Sequence, residues 1–263
     1  MKLQINSART GWQWVILGIK TFFRQPLALS GLFLLFVVVT ALLKLLPWIG
    51  SLLAMVTVPA ATVGLMAAAQ QAHAGKFPMP GMLFCALRVS PPRLRAMLIL
   101  GALYAAGVVL VLAIAALLDG GILASWMLGF GHIDIDPSNE GNLQASALLA
   151  TTLYVPLSMC FWYAPALVHW HGISPMKSLF FSAAASARNF SAFLVFSLGW
   201  AAVFTAVCFL IVIALGLTGS VAASPAALLP CALFFTAMFF TSIYFTYRDS
   251  FTDDTALIPP TER

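Results

Sequence analysis

Along the chain, apolar positions gather into six runs: Leu27 to Leu46, Ile49 to Ala69, Ala96 to Leu118, Leu143 to Val168, Phe190 to Leu217 and Ala226 to Tyr247. Each reaches the roughly 20 residues that a helix needs to cross ~30 Å of hydrocarbon. None shows the short two-residue alternation of an outer-membrane strand. In hydrocarbon every main-chain N–H and C=O needs a partner inside the protein, so runs of this length predict helices. The expected fold is all-α, a polytopic membrane protein of six transmembrane helices.

Between the runs the pattern changes. At 100° per residue, Arg9, Gln13, Lys20 and Arg24 fall within about 40° of one direction. Trp12, Trp14, Val15, Ile19, Phe22 and Phe23 cover much of the remainder. Such a helix suits the headgroup layer, its Trp and Phe turned to lipid. From Pro175 to Asn189, the serines 174, 178, 182 and 186 step by four, with Met176, Leu179, Phe180, Ala183 and Ala187 around them. That spacing predicts a second interfacial helix with one wet side and one apolar side. Pro175 and Pro78 both stand where a first helical turn loses nothing by lacking an N–H.

These two prolines belong to an internal repeat with an offset of 97 residues. Val58-Pro59 matches Val155-Pro156, Gly75 matches Gly172, Pro78-Met79 matches Pro175-Met176, and Phe84 matches Phe181, without a gap. Each copy is a proline-bearing span, a Gly turn, a short Pro-initiated segment and the next span. The N-terminal helix with the first two spans reads as a third, more diverged unit. The expected organisation is therefore one membrane domain of three hairpin repeats, each preceded by a short interfacial amphipathic helix: 1–26 for the N-terminal helix, 27–69 for hairpin 1, 75–168 and 172–247 for the next two units, and 248–263 for a tail. Because all units start on one side, the repeats are parallel, not the inverted pairs of many secondary transporters. The three interfacial helices are expected to form a cytoplasmic collar.

Composition sharpens this picture. Hydrophobic residues make up 62% of the 263 and charged residues 8%, against roughly 25% charged in a soluble domain. Twelve of the 13 Lys and Arg fall on one side of the six-span topology, and the exception, Lys44, sits at a span end where its stem can reach the interface. Basic residues accumulate in cytoplasmic loops, so both termini are expected in the cytoplasm of a bacterial inner membrane. The stretch from Asp119 to Asn142 carries no Lys or Arg and holds Asp119, Asp134, Asp136 and Glu140, as an outer loop would. The first run is too long for a signal-peptide core and is read as a retained helix. A net charge of +5 with no polar domain excludes a nucleic-acid binder and fits anionic headgroups as the partner. Another membrane protein or self-association is a further possible partner. Cys85, Cys160, Cys208 and Cys231 form no CxxC and are read as inert thiols.

Candidate chemistry is sparse. No ionisable residue falls near the middle of a run, which removes the main mark of a proton path. His169-Trp170-His171, with His73 at the matching end of the second span, invites a metal site. Two His two apart on a helix point about 200° from one another, however, so anchoring at the interface is the preferred reading. Asp134, Asp136 and Glu140 lack calcium-loop spacing and read as a solvated acidic loop. No metal, cofactor or catalytic residue is assigned, and the chain is expected not to be an enzyme. Pro59, Pro156, Pro165 and Pro230 lie inside spans, where each can kink a helix. Ala60, Gly64 and Ala68, at four-residue steps, form a face on which a neighbouring helix can approach closely.

Arg24-Gln25-Pro26, Phe161-Trp162-Tyr163-Ala164-Pro165-Ala166-Leu167, Arg188-Asn189 and Tyr247-Arg248-Asp249-Ser250-Phe251 occur in this order. Together they resemble a proteobacterial family of uncharacterised six-span inner-membrane proteins, over nearly the whole chain. Ser250 departs from the pattern, where a bulkier apolar residue is expected. The resemblance implies location and fold and assigns no activity. The function expected is a non-enzymatic membrane module that associates with lipid or with a partner, the alternative being a small transporter or channel for an apolar or lipid-like solute.

Orientation is directly testable. In a cysteine-free background, a single cysteine at Lys76 is expected to react with an impermeant maleimide only after the membrane is opened, and one at Asn142 in intact cells. The reverse pattern would overturn the assignment.

Overall fold

The computed structural model describes residues 2–130, 139–217 and 224–252. Among them the chain forms α1 (Ala8–Phe22), α2 (Pro26–Lys44), α3 (Gly50–His73), a 3₁₀ helix (Pro80–Leu87), α4 (Pro91–Asp119), α5 (Ile122–Leu128), α6 (Glu140–Phe161), α7 (Ala164–His171), α8 (Pro175–Arg188), α9 (Phe190–Leu217) and α10 (Ser224–Ser250). Six segments are long and apolar enough to span a membrane: α2, α3, α4, α6 with α7, α9 and α10. The protein is an all-α polytopic membrane protein. Leu110, Phe209 and Leu210 stand 62%, 64% and 65% exposed on these helices, a surface that water would penalise and lipid does not. Asp134, Asp136 and residues 253–263 of the expected tail lie outside the described residues.

The helices pack as two units, each with its own contacts. One comprises residues 1–35, 64–83 and 185–263, the other 36–63 and 84–184. In the first, α1 packs against both α9 and α10. Gly11 meets the Ala192 carbonyl and Gly18 meets Ser242, where any Cβ would collide. Two missing side chains thus let three backbones come together. Trp14, Val15 and Phe22 are buried in this packing, although the sequence pattern places them on the side opposite Lys and Arg, turned to lipid. The correction has a simple cause: the Gly11/Gly18 face is the one that can approach other helices, and these three residues flank it. Trp12 and Phe23 remain exposed, as do Arg9, Gln13, Lys20 and Arg24. Gly64, in the small-residue stripe, lies against the backbone of Leu83 in the short 3₁₀ helix, while Ala60 of the same stripe packs with Met97 and Leu100 of α4.

The second unit centres on α4, which packs against α5, α6 and α7. Ala60, Val63, Met97, Leu100, Phe161, Ala164 and Val168 form its buried core. Span four is not one helix. Pro165 stands at the start of α7, and α6 ends at Phe161. A proline ring clashes with the carbonyl four residues back and offers no N–H, so the helix breaks just before it. Pro59, Pro156 and Pro230 remain inside continuous helices.

The broken span explains the serines of α8. Ser182 Oγ accepts from Tyr163 N at 2.9 Å and donates to the Met159 carbonyl at 2.8 Å, splicing the break. Ser178, Ser182 and Ser186 are buried, whereas Met176 and Phe180 are 67% and 69% exposed. The expected wet and apolar sides are therefore the other way round. In a bilayer the apolar side can face solvent, and small hydroxyls turn inward where main-chain groups need partners.

The two repeat copies end their proline-bearing spans alike, with Gly75 and Gly172 at φ +76 and +64, a conformation that favours glycine. They then diverge. The second copy forms an α-helix from Pro175, but the first starts only at Pro80 and is 3₁₀. Pro80 holds Met79 out of the helical region, so no helix can begin at Pro78 as expected. Pro175 is followed by Met176-Lys177, with no such restriction.

Ser182→Ala removes the two bonds that Ser182 makes to Tyr163 N–H and to the Met159 carbonyl, at an expected cost of about 1–3 kcal/mol. Ser178 donates only to Pro175 of its own helix, and Ser178→Ala is expected to be near neutral. Unfolding in detergent checks this; equal effects of the two changes would contradict the splice.

Candidate functional site

In the first unit, two of the segments that carry the family resemblance, Arg188-Asn189 and Tyr247–Phe251, meet the N-terminal residues in one polar knot. Asn189 is fully buried. Its Oδ1 accepts from Asn6 N at 2.6 Å, and its Nδ2 donates to the Gln4 and Ala185 carbonyls, each at 3.1 Å. Asn6 Nδ2 in turn donates to Ser250 Oγ and to the Asp249 carbonyl, each at 3.3 Å. Trp14 Nε1 donates to Asp249 Oδ2 at 2.9 Å, and Arg248 Nε pairs with Asp249 Oδ1 at 2.7 Å. Lys2–Leu3 and Phe251–Thr252 add a two-residue antiparallel bridge, β1 with β2. Ser250 is small because the N-terminal segment occupies the space a bulkier residue would take. Beside the knot, Arg24 Nη1 donates to the His73 carbonyl, and His73 Nδ1 pairs with Thr21 Oγ1 at 3.2 Å. Every polar group here is matched by another, so the knot reads as a fastening for residues 2–7 and not as a reaction centre.

The second unit holds a different kind of feature, an apolar cavity of about 500 Å³. Its walls come from α3 (Met55, Val58), α4 (Tyr104, Val108, Leu112), α5 (Leu123, Trp126, Met127) and α6 (Ala147, Ala150, Tyr154). This lies within the roughly 300–1,000 Å³ typical of small-molecule sites. Two small residues, Ala147 and Ala150, leave the space that larger side chains would fill.

Polar groups in the lining are few. Thr151 Oγ1 donates to the Ala147 carbonyl of its own helix at 2.8 Å. Tyr104 and Tyr154 place their hydroxyls 2.8 Å apart. Two hydroxyls carry two protons, and their mutual bond uses one. The other remains available to donate. Tyr104 is held by the Phe161 ring, edge to face at 5.1 Å.

Helix α5 forms part of the wall, and the sequence pattern does not predict it. Seven residues, Ile122–Leu128, form a helix within what reads as a plain acidic loop. Asp119 fixes it: the carboxylate accepts from Gly121 N at 2.8 Å and Leu123 N at 2.9 Å. Negative charge at a helix N-terminus is favourable on both hydrogen-bonding and dipole grounds. The signal was the apolar Ile122-Leu123 and Trp126-Met127 pairs spaced by one turn after Gly120-Gly121. Glu140 also leaves the acidic loop: it opens α6 and accepts from Gln144 Nε2 at 3.2 Å.

The histidines do not combine. Among the described residues no three His, Cys, Asp or Glu side chains are grouped to hold a metal ion. His73 packs on Phe245 with ring centroids 5.0 Å apart, and His169 lies edge to face with Trp170 at 6.1 Å. Cys85, Cys160, Cys208 and Cys231 are all free, and burial pushes the Cys85 thiol up from its ordinary value, as an inert thiol requires.

The chain is 39% identical over 212 residues to a protein of Burkholderia thailandensis named as a probable inner membrane protein, covering 80% of this chain and 78% of the relative. No family model matches, and no solved structure does.

Asn189→Ala removes the groups that hold Asn6 N and the Gln4 carbonyl. Amide exchange at Gln4 and Asn6 is expected to accelerate about tenfold or more, as losing one to two buried hydrogen bonds implies. Unchanged exchange there would show that the knot does not fasten the segment.

Proposed function

The chain belongs to the family of that Burkholderia inner-membrane protein and is a multi-pass inner-membrane protein, and from this premise we propose that it is a non-enzymatic module that binds a lipid chain. Both termini then face the cytoplasm, in line with the placement of the basic residues. The observation that supports the reading is the cavity of about 500 Å³ bounded by α3, α4, α5 and α6. Its walls match hydrocarbon, and the spare hydroxyl proton of the Tyr104–Tyr154 pair offers one hydrogen bond. An acyl chain with an ester carbonyl has that distribution of chemistry, one acceptor at the end of an apolar body.

One observation bears on transport, the alternative reading. Broken helices line pathways in many transporters, with loose main-chain groups contacting the solute. In this chain the groups freed at the break bond to Ser182 instead. Lipid binding without translocation is thus the better supported of the two.

Filling the cavity tests the proposal. Ala150→Phe is expected to lower the phospholipid retained after mild detergent extraction by about tenfold or more, and Tyr104→Phe combined with Tyr154→Phe, which removes both hydroxyls, by about fivefold, near 1 kcal/mol for one hydrogen bond. Native mass spectrometry reads the bound lipid. Full retention by a folded Ala150→Phe protein would refute the assignment.

A further inference from the structure

A second cavity, of about 540 Å³, lies at the opposite end of α4. It is bounded by Ser90 and Arg93 at the start of α4, by Val168 and His171 at the end of α7, and by Gly172 and Ser174 leading into α8. Arg93 stands about 16 Å along α4 from Tyr104, at 1.5 Å per residue, so the two cavities are separate.

Its chemistry contrasts with that of the apolar one. Arg93 is exposed, and among the described residues no carboxylate pairs with it. Its guanidinium lies over Gly172, such that a methyl group on that glycine would sit 3.6 Å from Nε. Gly172 has φ +64, so the repeat's turn glycine brings the backbone into ordinary contact range of the guanidinium. Ser90 precedes α4 without making a side-chain cap. Ser174 precedes α8 and lines the cavity across from Ser90. His171 adds a ring nitrogen at the rim. Beneath these groups Ala96, Val168 and Ile173 give an apolar floor.

An exposed guanidinium with no carboxylate partner among the described residues and two seryl hydroxyls around one space are donors that an anion can occupy. Phosphate is the acceptor that suits them, because it takes a guanidinium fork on two oxygens and hydroxyl bonds on the others. We infer that this cavity binds a phosphate group through Arg93, Ser90 and Ser174. The apolar floor suits a phospholipid headgroup with its chains directed into the bilayer, and a soluble phosphate offers the same oxygens. The inference is independent of the acyl-chain site.

The test uses full-length protein in detergent, with three probes: phosphatidic acid, diacylglycerol of the same chains, and inorganic phosphate. Phosphatidic acid is expected to bind about tenfold or more tighter than diacylglycerol, the worth of one charge-assisted fork. Arg93→Gln should abolish that difference, and Ser174→Asp should do so independently by placing a carboxylate at the site. Arg93→Lys should keep part of it, having charge without the fork, and Arg88→Gln, outside the cavity, should leave it intact. Inorganic phosphate that binds in an Arg93-dependent way identifies a soluble ligand, whereas phosphatidic acid binding without it identifies the headgroup. Either result supports the site. Equal binding of the two lipids in folded wild type, together with no Arg93-dependent phosphate binding, would overturn it and leave the acyl-chain reading standing. Arg93-dependent phosphate binding with no lipid bound would do the converse.

Discussion

Where hydrocarbon is the solvent, a main-chain N–H or C=O that leaves its helix must be met by another group of the same protein. Much of this structure follows from that demand. Pro165 breaks span four, and Ser182 takes up the Tyr163 N–H and Met159 carbonyl around the break. The same serine must then be buried, which turns the apolar side of α8 outward. At the far end of α4, Asp119 performs the same service for Gly121 and Leu123, and that cap supports a helix of seven residues that lines a cavity. Ser146 donates to the Ala115 carbonyl at 3.1 Å and ties α6 to α4 alongside it.

The first unit meets a related demand with longer-range partners. Asn189 lies between α8 and α9, and its amide serves the carbonyl of Ala185 and two groups of the N-terminal segment. Gly11 and Gly18 bring α1 close enough for Trp14 to reach Asp249. Residues nearly 250 positions apart are thereby joined by hydrogen bonds and not by apolar packing alone.

Six spans were legible because a run of some 20 apolar residues has no other stable form in lipid. The small-residue stripe at Gly64 and the glycine turns at 75 and 172 were legible for steric reasons. What the pattern left open has physical causes too. Periodicity locates the two sides of α8 but not which one faces inward, since lipid reverses the usual preference of surface and core. Pro80 outweighed the repeat, so equal spacing at Pro78 and Pro175 gave unequal helices. Seven residues give a single turn of apolar repeat, too little to set a helix apart from the loop around it, and α5 read as loop. Neither cavity could be read at all: the apolar one depends on Ala147 and Ala150 facing Tyr104 across separate helices, and the polar one on Arg93 meeting Gly172, 79 positions away.

The central claim is that the space beside the tyrosine pair is a lipid site and not a packing defect. Electron cryo-microscopy of the protein extracted with its native lipid addresses this without any substitution. The account predicts elongated density running from the Tyr104 and Tyr154 hydroxyls toward Trp126, with an acceptor near the hydroxyls. A cavity closed by inward rotation of Trp126 and Met127, with no density between α4 and α6, would contradict it.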